Sequence, residues 1–328
     1  MKLLVVCLVS AAAWAAPCTS VTECKEWLTF GDGPARSMYY RTYTLTEPHP
    51  DITRALVVIH GAGRDADHYF RTALASAFLA GALEDTILIV PRFASSTGTC
   101  RDQLAAGEVS WSCAGDSWRS GGSATNQAGL TSFDFADEIL RRLANKTNFP
   151  GLRGIVVAGH SAGGQFVDRY AMANTVHDTL GVPVRYVVSN PSSYAYLDST
   201  RPSADGQEFH AYADARNCTT YDHWPYGLER RAGGYTVKQS DEQLRKQLAA
   251  RPVIYLLGEI DILPLGGFDA SCAAMAQGPT RLARGQAFSK YVDQKFGASH
   301  TLEIVPLCGH NARCMFTADV ALPVLFPR

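Results

Sequence analysis

Gly159-His160-Ser161-Ala162-Gly163 sets a serine between two glycines. The apolar run Ile155-Val156-Val157 comes before it, and a helical pattern carried by Phe166, Val167, Tyr170 and Met172 comes after. Small residues on either side of a serine let strand and helix approach closely, so the hydroxyl projects from a strained turn. The helix that follows aims free N–H groups at whatever the serine attacks. A serine hydroxyl is a weak nucleophile until a base takes its proton, and the base needs an acid to orient it. In a strand–turn–helix setting of this kind the acid and then the base follow the serine along the chain, each in a loop after a later strand.

Two later stretches meet that requirement. The run Val253-Ile-Tyr-Leu-Leu257 leads into Gly258-Glu259-Ile260-Asp261, and Asp261 is favoured as the acid because Gly258 permits the turn out of the strand; Glu259 and Asp269 are its rivals. The run Leu302-Glu-Ile-Val305 leads into Pro306-Leu-Cys308-Gly309-His310, which makes His310 the base. A Cys308–Cys314 bond would hold its loop and lower the entropy needed to reach Ser161. The remaining histidines fit less well: His49 and His68 precede the serine, His160 lies beside it, and His300 stands before the strand. His210 and His223 are read as solvated or substrate-contacting. The oxyanion formed on an attacked carbonyl needs two donors. Those expected are the backbone N–H of Ala162 and that of Ala62 in the turn His60-Gly61-Ala62-Gly63, with Gly63 as runner-up.

The elements that must position these groups are legible as alternating strands and helices. Arg54–Ile59 and Thr86–Val90 are continuous apolar runs, as strands covered on both faces require. Tyr39 to Leu45 alternates like an antiparallel or edge strand. Helices are expected with Phe70, Leu74, Phe78 and Leu79 on one face, over Phe133–Leu143, and over Thr280–Phe296; a further strand is expected at Val184–Ser189. Alternation of this kind implies a mostly parallel sheet with helices on both faces. Residues 17–35 read as a tied-down segment. Residues 92–130 lack any period and are functional or disordered, with Cys100 and Cys113 arguing for order. Residues 191–250 form an insertion rich in aromatics, including Tyr194, Tyr196, Tyr226 and Trp224, that either line a binding cleft or pack the insertion down. No repeat or linker divides residues 17–328.

With 30 Lys+Arg against 31 Asp+Glu over 328 residues, no charge argument points to nucleic acid or an anionic membrane. Lys2 and the short apolar run Leu3–Ala13, followed by Ala13-Trp14-Ala15, read as a signal peptide over residues 1–16, cleaved after Ala15 or Ala16. The expectation is a secreted monomer. Cys7 leaves with the leader and eight cysteines remain, an even number suited to an oxidising compartment. Local pairs suggest Cys18–Cys24, Cys100–Cys113 and Cys308–Cys314, which leaves Cys218–Cys272 by elimination. No spacing suits zinc. Asn145-Lys-Thr147 and Asn217-Cys-Thr219 are glycosylation sequons.

His60-Gly61, Gly159-His-Ser161-Ala-Gly163, Gly258-x-x-Asp261 and Gly309-His310 stand in the order and spacing of the α/β-hydrolase superfamily, which the chain resembles from about Tyr39 onward. The His-Gly-Ala-Gly-Arg-Asp stretch and the cysteine-flanked His310 are similar to secreted fungal and bacterial hydrolases, loosely related to polyester depolymerases and feruloyl esterases. The superfamily resemblance implies the α/β-hydrolase fold and a serine hydrolase mechanism; the reading of the residues is a carboxylic-ester hydrolase acting on a small or polymeric ester, with no metal or cofactor. The absence of His-Gly-Gly-Gly and of an apolar lid helix departs from hormone-sensitive and triglyceride lipases. A serine nucleophile departs from dehalogenases and epoxide hydrolases. Two alternatives remain open: an amide or peptide hydrolase on the same three residues, and a silent binding protein on the same fold.

Overall fold

Successive side chains of a strand point to opposite faces, so a run that is apolar at every position asks for cover on both sides. The structure is a computed structural model that describes residues 16–113, 118–231 and 233–328. All but Ala16 of the expected leader lies outside the described residues. In chain order the elements are β1 (Lys25–Thr29), β2 (Arg36–Arg41), β3 (Arg54–Ile59), α1 (Ala66–Leu79), β4 (Thr86–Pro91), α2 (Ser132–Leu143), β5 (Gly154–His160), α3 (Ala162–Ala173) and β6 (Val184–Ser189). There follow β7 (Thr200–Pro202), β8 (Phe209–Ala211), α4 (Asp241–Ala250), β9 (Val253–Gly258), α5 (Cys272–Met275), α6 (Arg281–Phe296), β10 (Thr301–Val305), α7 (Ala312–Thr317) and α8 (Leu322–Leu325).

Eight strands form one sheet in the order β1-β2-β4-β3-β5-β6-β9-β10, parallel from β4 to β10 and antiparallel at the β1–β2–β4 edge. Ala55, Val57, Ile59, Ile155 and Val157 pack with α2, α3, α4 and α6. Leu56, Val58, Leu88, Val156 and Ala158 pack with α1, α7 and α8. Each valine, leucine or isoleucine among them contributes roughly 1.5–3 kcal/mol when fully buried, so the two layers hold the sheet from both faces.

One boundary and one helix face differ from expectation, and the long loop proves ordered where it is described. The strand expected over Tyr39–Leu45 instead runs Arg36–Arg41, and the segment 17–35 contributes its partner β1. The Thr42 side chain takes over from the ladder, its hydroxyl accepting the Leu88 N–H at 2.9 Å. Helix α1 buries Tyr69, Phe70, Ala73 and Ala77, while Phe78 and Leu79 are exposed. Small alanines bring that helix close to the sheet, so its larger apolar residues end outside. The described part of 92–130 is ordered: Phe93, Trp111 and Trp118 are buried, and the Phe93 ring meets those of Trp111, Trp118 and Phe166. The insertion holds the β7–β8 hairpin and α4, and its Tyr194 and Tyr196 pack against Phe288 of α6.

Disulfides join Cys18–Cys24, Cys100–Cys113, Cys218–Cys272 and Cys308–Cys314. Among the described residues no helix is long and apolar enough to cross a membrane.

Candidate active site

Ser161 follows the central strand β5 and precedes α3 with φ 60° and ψ −120°. A non-glycine residue in that region is strained and persists only where its surroundings fix it. Here they do. The Ser161 N–H donates to Ser189 O at 2.9 Å, and the flanking glycines let the turn close. A Cβ at Gly163 would fall 2.1 Å from Ile59 O, and one at Gly159 would fall 2.2 Å from Gly163 O. No side chain fits at either place. The sequence motif is therefore the steric condition for α3 to cross β3 and β5 at this distance.

The structure brings Ser161, His310 and Asp261 together. Ser161 Oγ lies 2.9 Å from His310 Nε2, and His310 Nδ1 lies 2.8 Å from Asp261 Oδ2. This polarity fits an imidazole that donates Nδ1–H to the carboxylate and accepts the serine proton at Nε2. The rivals face elsewhere: Glu259 Oε2 accepts the Leu307 N–H, and Asp269 accepts from the Tyr226 hydroxyl and the Ser271 N–H.

The His310 loop is held from several sides. Asn190 accepts the Gly258 N–H at 2.8 Å and donates to Gly309 O at 3.2 Å, tying the loop after β9 to the loop after β10. Ile260 N–H donates to Cys308 O at 3.1 Å. The His160 ring lies beside that of His310, with centroids 4.7 Å apart. Burial drives His160 well below the ordinary histidine value, and the neighbouring His310 and Arg281 push the same way.

Arg281, like Asn190, is a site residue that the sequence reading missed. It is fully buried, its Nη1 lies 3.5 Å from Asp261 Oδ1, its Nε donates to Ser192 Oγ and its Nη2 to Gly266 O. Burial pulls this guanidinium below its ordinary value, and the Asp261 carboxylate opposes that. A signal was present. Arg281 and Arg284 occupy the first turn of α6, where cations oppose the helix dipole, so a compensating partner was to be sought.

Ala162 follows the serine in the chain, and Ala62 lines the cleft in front of it. Ala162 opens α3, where the leading N–H groups have no acceptor within the helix. The turn carrying Ala62 is fixed from behind, because the Phe93 N–H donates to His60 Nε2 at 3.0 Å and His60 Nδ1 lies 2.8 Å from Gly61 O. Arg64 adds bonds to Phe93 O and Ser112 O. The open space in front of Ser161 is a cleft of about 710 Å³ lined by Ala62, Gly63, His68, Thr72, Gly266 and Arg313, among others. His68 therefore reaches the cleft, whereas none of its lining comes from the insertion.

Residues 56–321 match the alpha/beta hydrolase family. The chain belongs to that family. No curated protein matches it. Among solved structures it is similar to the poly(3-hydroxybutyrate) depolymerase LpqC of Bordetella parapertussis, with TM-score 0.62, 18% identity, and 90% of this chain and 85% of that one covered. It is also similar to poly(aspartic acid) hydrolase-1 of Sphingomonas sp. KT-1, with TM-score 0.59, 22% identity, and coverage of 89% and 94%. Both likenesses are of fold.

Proposed function

We propose that this alpha/beta hydrolase is a secreted serine hydrolase that cleaves carboxylic esters through an acyl-enzyme. The observation that carries the reading is the continuous Ser161–His310–Asp261 chain, closed at 2.9 and 2.8 Å on a strained serine. Ser161 attacks the ester carbonyl carbon while His310 Nε2 takes its proton. The carbonyl oxygen becomes an oxyanion that the Ala62 and Ala162 N–H groups receive. As the tetrahedral intermediate collapses, the C–O bond to the alcohol breaks and His310 returns the proton to the leaving oxygen. Asp261 holds the imidazole and stabilises its charged form. Water then attacks the acyl-enzyme by the same route, and the acid leaves. No cofactor enters this scheme.

Export is part of the proposal. The expected leader and four disulfides support an oxidising compartment. Asn145 and Asn217 are both exposed, as sequons in use require. We read the protein as a monomer acting on a small or polymeric ester, without nucleic acid or membrane partners.

The same machinery serves amides, so the assay must separate the two bonds. p-Nitrophenyl esters of increasing acyl length, with a p-nitroanilide beside them, are expected to show ester turnover in the wild type. That turnover should fall about 10⁶-fold in Ser161→Ala, the scale for removal of a triad serine. Residual ester hydrolysis near the wild-type rate in Ser161→Ala would overturn the nucleophile, and anilide cleavage without ester cleavage would move the protein to amides.

A further inference from the structure

The loop that leaves Asp261 does something its catalytic neighbour does not require. Residues 262–268 read Ile-Leu-Pro-Leu-Gly-Gly-Phe, with no charged side chain. Ile262, Leu263 and Leu265 are 52%, 57% and 61% exposed, and Ile260 just before them is 50% exposed. Soluble proteins scatter single apolar residues over their surfaces, but a contiguous cluster marks a contact surface.

A second strand of evidence comes from the neighbouring loop. Leu307 has φ 57° and is 79% exposed, the most exposed of the large apolar residues described. A leucine in the left-handed region is strained, and here the strain presents an aliphatic side chain to solvent instead of burying it. Leu307 sits against the same loop, since its N–H donates to Glu259 Oε2 and the next residue's carbonyl accepts the Ile260 N–H. The two loops thus meet at Glu259 and Ile260, with exposed Leu307 on one side and exposed Ile262, Leu263 and Leu265 on the other.

The loop after Asp261 is continuous with the cleft. Gly266 and Gly267 belong to the loop and also line the space in front of Ser161. Gly266 (φ 57°) lies so close to the base that a Cβ there would fall 2.9 Å from His310 Cδ2. Whatever covers Leu263, Leu265 and Leu307 is therefore adjacent to the bond being cut. We propose that the apolar rim of Ile262, Leu263, Leu265 and Leu307 seats the enzyme on a neutral, water-insoluble ester phase, so that the substrate is the surface of an aggregated or solid apolar ester rather than a dissolved molecule. This rests on the ester-hydrolase reading. The lack of charge along the loop selects a neutral surface over an anionic one, and its place at the cleft mouth selects the substrate over a distant partner.

The test uses a polycaprolactone film as the apolar ester phase and measures adsorption of Ser161→Ala, which separates docking from hydrolysis. Leu263→Ser, Leu265→Ser and Leu307→Asn are added together; asparagine tolerates the left-handed backbone, so the last change relieves strain. Adsorption at low protein concentration is expected to fall at least about tenfold. In the Ser161 background the triple variant should hydrolyse dissolved p-nitrophenyl acetate within about twofold of wild type and lose about tenfold in film hydrolysis. Equal adsorption by both proteins overturns the proposal, as does a wild-type dimer that the triple variant converts to monomer, or tighter binding to phosphatidylcholine vesicles than to the film. If the triple variant does not fold, Leu307→Asn alone is expected to lower adsorption about threefold, and no change there is equally fatal. Loss of p-nitrophenyl acetate hydrolysis in the wild type would count against the ester reading, while adsorption of Ser161→Ala decides the rim independently.

Discussion

Three carboxylates follow β9 closely enough to compete for the acid's role, and their hydrogen bonds separate them. Asp261 is buried against His310 and Arg281, whereas Asp269 serves Tyr226 and Ser271. Under this assignment Asp261→Asn lowers kcat about 10⁴-fold, as loss of the orienting acid does in serine triads, while Asp269→Asn stays within a few-fold of wild type. Steady-state kinetics on a p-nitrophenyl ester checks the pair, and the opposite ranking would unseat Asp261. At this scale the sequence was informative where chemistry imposes a local pattern. Ser161 needs glycines beside it, and His310 and Asp261 need strand ends before them. Asn190 obeys no such pattern, and Arg281 shows only as a cation in the first turn of α6, a signal that names no partner. Each works by reaching across the fold to a loop distant in sequence, so their roles become visible only once the strands are assembled.

At the scale of elements, the turn after β3 depends on a neutral histidine. Burial lowers the His60 imidazole to about 4, because charging it would leave a cation without water. Geometry requires the same state, since Nε2 must be bare to accept the Phe93 N–H. A histidine depressed in the folded state binds fewer protons than in the unfolded chain. Its stabilisation is therefore whole above the unfolded value near 6.5 and is lost as pH falls from there towards 4. The window is worth about 3 kcal/mol at 1.4 kcal/mol per unit. His60→Gln keeps an acceptor and removes the titration, so denaturant unfolding at pH 7.5 and 4.5 should show a smaller acid loss in the variant. Equal losses would remove His60 as a source of acid sensitivity. Strands covered on both faces were readable as apolar runs, and most of their limits agree within a residue or two. Helix α1 was legible in position but not in orientation. The reading ranked residues by apolar size, whereas packing against the sheet selected Ala73 and Ala77 for closeness and left Phe78 and Leu79 outside. Strand β1 was missed because KEWLT at a sheet edge is mostly polar.

Over the whole molecule, the loops after β3, β5, β9 and β10 converge at one end of the sheet, where parallel strands bring their C-terminal ends together. That convergence could be inferred from order along the chain, because strands separated by helices all run the same way. The disposition of the insertion could not. Its aromatics suit a cleft or a packing layer equally well by composition, and the structure gives Tyr194 and Tyr196 to α6. The insertion therefore supplies packing and none of the cleft lining, and the surface that adjoins the cleft is the apolar loop after Asp261. The central claim is that Ser161 is an activated nucleophile in a working site. The most direct measurement is intact mass and peptide mapping after treatment with an uncharged fluorophosphonate at neutral pH. The account predicts one stoichiometric adduct on Ser161 of the wild type and none on Ser161→Ala or His310→Ala. An unlabelled wild type, or an adduct on another residue that persists in Ser161→Ala, would contradict it.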